Sequence, residues 1–109
     1  LVRGFFVSLA VSQRLVAAAA TGDTDGLIIA LDEGADIRSR NGSGRTALQT
    51  SVLNSRIPTV VAILQRCDAS VAAMKTMEGD TCLELCDQAG SLESKLLLRR
   101  KLGQHGSSA

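Results

Sequence analysis

The sequence predicts an all-α protein made of repeated helix–turn–helix units. Two stretches, 15–37 and 48–70, align without gaps at an offset of 33 residues, and a looser third copy begins at residue 83. The apolar residues of each copy recur at helical spacing and do not alternate as in a strand. Only 2% of the 109 residues are aromatic. The core must therefore be built from small and aliphatic side chains, which favours closely packed helices over a β-sandwich.

Each copy has the same predicted plan: a short first helix, a turn and an apolar second helix. The first helices are expected at these positions: 13–20, 47–53 and 82–88. Gly22 and Gly90 suit the positive φ that such a helix end requires. In the middle copy Ser55 stands at the Gly position, and Asn54 beside it is expected to tolerate the left-handed region. The last helix has an expected apolar face formed by Leu96, Leu97, Leu98 and Leu102.

Polar loops separate consecutive units. In the loop at 38–45, an Asn-Gly pair and a Ser-Gly pair mark a tight β-turn that projects from the stack. The next connection, 67–81, takes up two extra residues. Thr46 and Thr81 follow the loops and are placed as helix N-caps. The predicted divisions of the chain are an apolar N-terminal segment at 1–12, units at 13–45, 46–80 and 81–103, and a flexible tail at 104–109.

The residues that open the second and third units resemble the helix-opening motif T-P-L-H-x-A of ankyrin repeats. The chain has TALQTS from Thr46 and TCLELC from Thr81, and in both cases a Gly precedes the Thr by two residues. The stretch DEGADI from Asp32 is similar to the usual end of an ankyrin unit. This resemblance covers about three repeats over 13–103 and implies an ankyrin-type solenoid with projecting β-turn loops.

The chain departs from the family's motif in two ways. The Pro is absent, and Val16, Gln49 and Glu84 stand where the family has His. Because that His pins the turn by hydrogen bonds, the resemblance implies that these loops are held less firmly. The N-terminal segment 1–12 is expected to form an apolar capping helix over the first unit. The alternative is a signal-peptide-like start, since a basic residue precedes the apolar run.

An ankyrin-type array implies a protein–protein interaction module and not an enzyme. A partner would bind to the loop tips and to the concave face of the first helices. The candidate contact residues are Arg38, Arg40, Asn41, Ser43, Arg45, Lys75 and Met77 in the loops, and Thr50, Leu53, Leu85 and Gln88 on the first helices. The loop arginines would suit an acidic patch on a partner; the alternative is an ordinary solvated loop. For Leu53 and Leu85 the alternative is packing against a neighbouring unit.

A second functional hypothesis is a regulatory or targeting segment of a larger multidomain enzyme. The formal net charge of +1 creates no global field toward nucleic acid, so no nucleic-acid partner is expected. No apolar stretch has the length of a membrane span. The basic run Lys95, Arg99, Arg100 and Lys101 is interpreted as complementing the carbonyl end of the last helix. The alternative is contact with an anionic lipid, nucleic acid or acidic protein.

The cysteines are interpreted as core residues. Their number is odd and their spacing suggests no disulfide framework, which favours a reducing compartment and therefore an intracellular, cytoplasmic location. Cys82 and Cys86 share a helix face, but with Cys67 and His105 they match no common zinc pattern. His105, the only His, has no neighbour in the sequence that would hold it as a base. No catalytic, cofactor-binding or metal-binding residue is predicted.

Overall fold

The computed structural model describes the backbone of residues 2–106 and the side chains of residues 9–103, and over this range the protein is all-α. Its helices are α1 Val2–Thr21, α2 Thr24–Asp32, α3 Ala47–Leu53, α4 Ile57–Gln65, α5 Ala69–Ala72, α6 Cys82–Ala89 and α7 Leu92–Gly106. The first helices predicted at 47–53 and 82–88 are confirmed to within one residue.

The helices pack as three pairs in two layers. In one layer α3 contacts α1 on one side and α6 on the other, and in the second layer α4 contacts α2 and α7. Within each pair the two helices also pack on one another, as α1 with α2, α3 with α4, and α6 with α7. The core between the layers is aliphatic, and its largest fully buried side chains include Leu15, Leu27, Leu48, Ile63, Leu85 and Leu98.

The turn within each pair places one residue in the left-handed region. The prediction named the wrong residue in the middle pair. Gly22 and Gly90 have φ of 78° and 69°, as expected. In the middle pair Ser55 itself takes the left-handed conformation with φ 54°, while Asn54 has φ −94°. The reason is a hydrogen bond in which the amide of Arg56 reaches the Ser51 carbonyl at 2.9 Å. This hydrogen bond closes a turn of six residues, and such a turn requires positive φ at the residue before the donor, here Ser55. The requirement holds for any residue type.

The N-terminal segment is continuous with the first unit. The backbone of α1 runs unbroken from Val2 to Thr21, so no separate helix precedes residue 13. Val11 and Ser12 are buried, and the Ser12 hydroxyl accepts a hydrogen bond from the Asp36 amide at 2.9 Å. At the other end α7 continues to Gly106, and residues 107–109 of the predicted tail lie outside the described part of the chain.

The two extra residues of the second connection belong to a region with its own short helix, α5, which the sequence analysis did not predict. Asp68 caps it by accepting hydrogen bonds from the amides of Ser70 at 3.1 Å and Val71 at 3.3 Å. The helix packs against α7 and buries Ala69, Val71 and Ala72.

Two threonines fix the starts of α3 and α6, as predicted. The hydroxyls of Thr46 and Thr81 accept from the amides three residues later, and Gln49 and Glu84 complete the two capping boxes. Gln49 is fully buried. Its Oε1 accepts from the Thr46 amide at 2.9 Å, and its Nε2 donates to the Met74 carbonyl at 3.1 Å. The second loop is therefore tied to α3 although the His of the motif is absent.

The apolar face of the last helix is narrower than predicted. Leu98 is fully buried, Leu97 and Leu102 are partly buried, and Leu96 is 55% exposed. Leu96 lies two residues before Leu98, and two residues turn an α-helix by about 200°. The two side chains therefore point in nearly opposite directions, and a run of consecutive leucines cannot all enter one core.

Candidate functional site

The first loop is a closed β-turn built around Asn41. The Asn41 amide donates to the Arg45 carbonyl and the Gly44 amide donates to the Asn41 carbonyl, both at 2.9 Å. The Asn41 side-chain oxygen also accepts from the amides of Ser43 at 2.9 Å and Arg45 at 3.1 Å. An isolated antiparallel bridge between Arg40 and Thr46 closes the base of the loop. Asn41 is therefore a structural residue of the loop as well as a candidate contact.

The second loop repeats this construction 35 residues later. The Thr76 amide donates to the Asp80 carbonyl at 2.8 Å, and the Gly79 amide donates to the Thr76 carbonyl at 2.9 Å. The Thr76 hydroxyl takes the role of the Asn41 side chain and accepts from the Asp80 amide at 3.0 Å. Both loops thus present short, rigid tips, because their backbone groups are bonded within the loop.

The two loops lie against one another through Gly44 and Met77. A Cβ placed on Gly44 would overlap the Cγ of Met77 and lie 2.9 Å from its Cβ. A Cβ on Gly79, the equivalent position of the second loop, would meet nothing within 4 Å. Both glycines have positive φ, 80° and 93°. Both positions therefore require a residue that tolerates positive φ, but only the Gly79 position has room for a side chain.

We expect Gly44→Ala to cost more unfolding free energy than Gly79→Ala. The φ penalty of about 1 kcal/mol is common to both variants, and overlap with Met77 adds about 1–3 kcal/mol for Gly44 alone. Urea denaturation followed by far-UV circular dichroism measures the difference. Equal losses in the two variants would show that the loops are not in contact in solution.

A cleft of about 380 Å³ lies between one face of α1 and the tip of the first loop. It is lined by Leu9, Ser12, Gln13, Val16, Ala17 and Ala20 from α1, and by Ser39, Arg40, Asn41 and Gly42 from the loop. Two of the candidate residues, Arg40 and Asn41, therefore lie together at one site. The α1 residues were missed, although Ala17 and Ala20 lie 33 residues before the candidates Thr50 and Leu53. Applying the repeat offset would have found them.

The three candidate arginines of the first loop differ in their partners. Arg38 donates to the Ser70 hydroxyl at 2.6 Å and lies 3.6 Å from an Asp68 carboxylate oxygen, so its charge is partly compensated. Arg40 is exposed and donates to the carbonyl of Gly44 within its own loop at 2.8 Å. Arg45 is half-buried, and its Nε has no hydrogen-bond partner among the described residues. Arg40 thus presents the most available positive charge.

The candidates on the first helices are mostly not available for contact. Thr50 is 7% exposed and Leu85 is 1% exposed. Leu53 is partly buried against the core, and only Gln88 is exposed. This corrects the assignment of Leu85 and Thr50 to a contact surface, and for Leu53 and Leu85 packing is the better description. Ala17 of α1 is exposed, whereas its equivalents Thr50 and Leu85 are buried.

The remaining loop candidates lie at the surface. Ser43, Lys75 and Met77 are exposed, and the exposed fraction of Met77 is 72%. The flexible thioether of Met77 can adapt to differently shaped partners. It lies beside the first loop through its contact with Gly44, so the two loop tips form one continuous surface.

The cysteines lie in the core and have raised pKa values. Burial raises the pKa of Cys82 to about 12 and that of Cys86 to about 11. Burial also raises the pKa of the half-buried Cys67, although Lys101 opposes the shift. Among the described residues, no three His, Cys, Asp or Glu side chains are arranged to hold a metal ion. A raised pKa keeps a thiol protonated and therefore poorly nucleophilic.

We expect Cys82 and Cys86 to resist alkylation in the folded protein. At pH 8 their thiolate populations are far below that of a free cysteine, because both pKa values are raised by burial. Iodoacetamide labelling followed by mass spectrometry should modify Cys67 slowly and the other two only after unfolding in urea. The reactivity should rise with pH between about 9 and 12, as the thiols ionise. Rapid labelling of Cys82 at pH 8 would contradict its placement.

The basic run of α7 does not lie at the end of the helix. Because α7 continues to Gly106, Arg99 and Arg100 are more than one turn from its C-terminus, beyond the reach of the terminal carbonyls. Lys95 pairs with Asp87 at 2.7 Å, and Lys101 is half-buried. Arg99 and Arg100 are exposed. The interpretation of the run as a helix-terminus feature is therefore corrected.

No helix in the described part of the chain combines the length and the apolar character that crossing a bilayer requires.

Three features define the candidate site. They are the face of α1 that lines the cleft, the two loop tips that touch through Gly44 and Met77, and the exposed guanidinium of Arg40. Neither the protein-family models nor the curated proteins that were compared with this chain gave a match.

Proposed function

We propose that the protein is an ankyrin-type repeat module of about three units that binds another protein and carries no catalytic activity of its own. The observation that supports this most directly is the cleft between α1 and the first loop. It is open, has a volume of about 380 Å³ and joins apolar side chains of α1 to polar groups of the loop. Clefts of this composition bind a partner's anchor side chain in their apolar part and orient it with their polar groups.

The chemistry of the cleft favours a partner segment that combines an apolar side chain with a nearby carboxylate. Leu9 and Ala17 supply exposed apolar surface, and Gln13 and Asn41 supply amide groups. Arg40 is exposed at the loop and makes no ion pair among the described residues. A guanidinium binds a carboxylate in a two-pronged geometry that a lysine cannot reproduce. Arg38 contributes less, because Asp68 already lies beside it.

Site-specific photo-cross-linking tests where a partner binds. A photoreactive amino acid at Ala17, which is exposed in the cleft, should capture the partner. The matched control is the same amino acid at Gln65, which is exposed on α4 away from the cleft. Capture from position 65 but not from position 17 would refute the proposed surface. Leu53→Asp is not a clean test, because Leu53 packs against the core.

We expect Arg40→Glu to weaken binding of the captured partner by at least about tenfold. The variant replaces an exposed cation by an anion at the edge of the cleft, so the fold and melting temperature should be preserved. Arg66→Glu is the control, since Arg66 is exposed and lies away from the cleft. Isothermal titration calorimetry measures both affinities. Equal losses would assign the effect to net charge and contradict a specific role of Arg40.

A further inference from the structure

The tip of the first loop carries two neighbouring residues that can react with one another. In an Asn-Gly sequence the glycine nitrogen can attack the side-chain carbon of the asparagine, because no Cβ on the glycine crowds its approach. The chain has two asparagines, Asn41 before Gly42 and Asn54 before Ser55. These two positions allow the surroundings of the same two reacting groups to be compared within one molecule.

The two attacking nitrogens differ in their hydrogen bonds. The Ser55 amide donates to the Val52 carbonyl at 3.1 Å, so its attack on Asn54 would break a bond of the turn. The Gly42 amide donates to no described residue, and Gly42 is exposed. No hydrogen bond within the described structure therefore has to break before this nitrogen attacks Asn41, and solvent water can take its proton.

The side-chain carbonyl of Asn41 is polarised by two backbone amides. Its Oδ1 accepts from the amides of Ser43 at 2.9 Å and Arg45 at 3.1 Å. Attack on Cγ moves negative charge onto this oxygen, and N–H donors that already point at it stabilise that charge, as in an oxyanion hole. The Asn54 side chain is held through its nitrogen, which donates to the Ala20 carbonyl at 3.2 Å. The hydrogen bonds of the fold thus favour the reaction at Asn41.

We infer that Asn41 and Gly42 form a self-modification site. The Gly42 nitrogen bonds to the Asn41 Cγ, the bond from Cγ to Nδ2 breaks, and ammonia leaves with the amide proton, which gives a cyclic succinimide. Water then opens the ring at either of its carbonyl groups and yields aspartate or isoaspartate at position 41. Water is the only co-reactant, and each conversion replaces a neutral amide by a carboxylate.

The product changes the charge of the cleft. Arg40, Asn41 and Gly42 all line it, so the new carboxylate lies next to the guanidinium that the proposed function assigns to a carboxylate of the partner. It compensates that positive charge and repels the partner. Isoaspartate also turns the backbone carbonyl that accepts from the Gly44 amide into a free carboxylate, which opens the loop. This consequence for binding rests on the proposed function, whereas the chemical step does not.

Peptide mapping by mass spectrometry measures the chemical step. The full chain is incubated in mildly alkaline buffer, folded or unfolded in guanidinium chloride, and conversion of each asparagine is followed by its mass increase of about 1 Da. The rate at Asn54 should fall at least about tenfold on folding, because the Ser55 amide is then hydrogen-bonded. The rate at Asn41 should be at least as high in the folded chain as in the unfolded one. A rate at Asn41 that falls on folding would overturn the proposal.

Gly42→Ala is the matched control for the chemistry. A Cβ at Gly42 would meet nothing within 4 Å, and its φ is not positive, so the fold and the melting temperature should be retained. The added methyl group crowds the attacking nitrogen, and the rate at Asn41 should fall by at least about tenfold. An unchanged rate would show that Gly42 is not the attacking group.

Asn41→Asp separates the chemical step from its consequence for binding. The carboxylate can accept the same two amide bonds, so the loop should be retained. We expect the affinity for the partner captured at Ala17 to fall by at least about tenfold. If Arg40→Glu weakens binding and Asn41→Asp does not, the consequence for binding is wrong while the proposed function stands. If neither weakens binding, the proposed function fails, and the rates at Asn41 decide the self-modification site independently.

Discussion

Replacing Gln49 by Ala is expected to lower the unfolding free energy by about 3 kcal/mol. Gln49 is fully buried and makes two hydrogen bonds, from the Thr46 amide and to the Met74 carbonyl. Without the side chain both backbone groups lose this partner in a place that water reaches poorly, and each such loss costs about 1–3 kcal/mol. Urea denaturation monitored by circular dichroism measures the change.

Glu84→Ala is the matched control for this result. Glu84 occupies the same position of the second capping box, where its Oε1 accepts from the Thr81 amide at 2.8 Å. Unlike Gln49 it is exposed, so water can replace the lost bond. We expect a loss of about 0.5–1 kcal/mol. If Glu84→Ala were as destabilising as Gln49→Ala, burial and the bond to Met74 would not be the cause.

Leu98→Ala is expected to cost about 3 kcal/mol, a large part of the 5–15 kcal/mol by which a typical domain is stable. Leu98 is fully buried in the cluster between the two layers, so the change removes apolar contact and leaves a cavity. The midpoint of urea unfolding should fall, and the slope of the transition should be unchanged if unfolding remains two-state.

Leu96→Ala, on the same helix, should change the unfolding free energy by less than about 0.5 kcal/mol. Both variants remove the same atoms from the same residue type, so the comparison isolates burial. Equal losses would mean that the register of α7 is different from the one described.

The sequence was sufficient to predict the features that depend on local chemistry. A threonine between a loop and a helical pattern can accept a capping hydrogen bond from the amide three residues later. Thr46 and Thr81 were therefore placed correctly as N-caps. The left-handed turn was also predictable, because it recurs at one position of each copy. Ser55 takes that conformation since the closing hydrogen bond, and not the residue type, sets its φ.

Features that depend on neighbouring units could not be predicted in the same way. The rotation of α7 about its own axis is set by packing against α4, α5 and α6, and this decides that Leu98 is buried while Leu96 is not. Thr50 and Leu85 were expected at a contact surface, but packing covers them. For the candidate site, Arg40 and Asn41 follow from the loop motif. The pairing of Arg38 with Asp68 could not be predicted, because Asp68 caps α5 and no clear sequence pattern marks that helix.

Packing mainly between adjacent pairs has a consequence for how such a chain can change length. Each pair rests on the one before it and supports the one after it, and the bonds across a junction, such as Asn54 to the Ala20 carbonyl at 3.2 Å, link consecutive units. A tandem duplication of 46–80 would therefore keep the two existing junctions and add one new junction, at which Ile57 takes the place of Thr24 opposite Thr59. Spacings of 33 and 35 residues within one chain show that the connections accept insertions. Any compensating changes that a duplication requires would thus be confined to the residues of that one new junction.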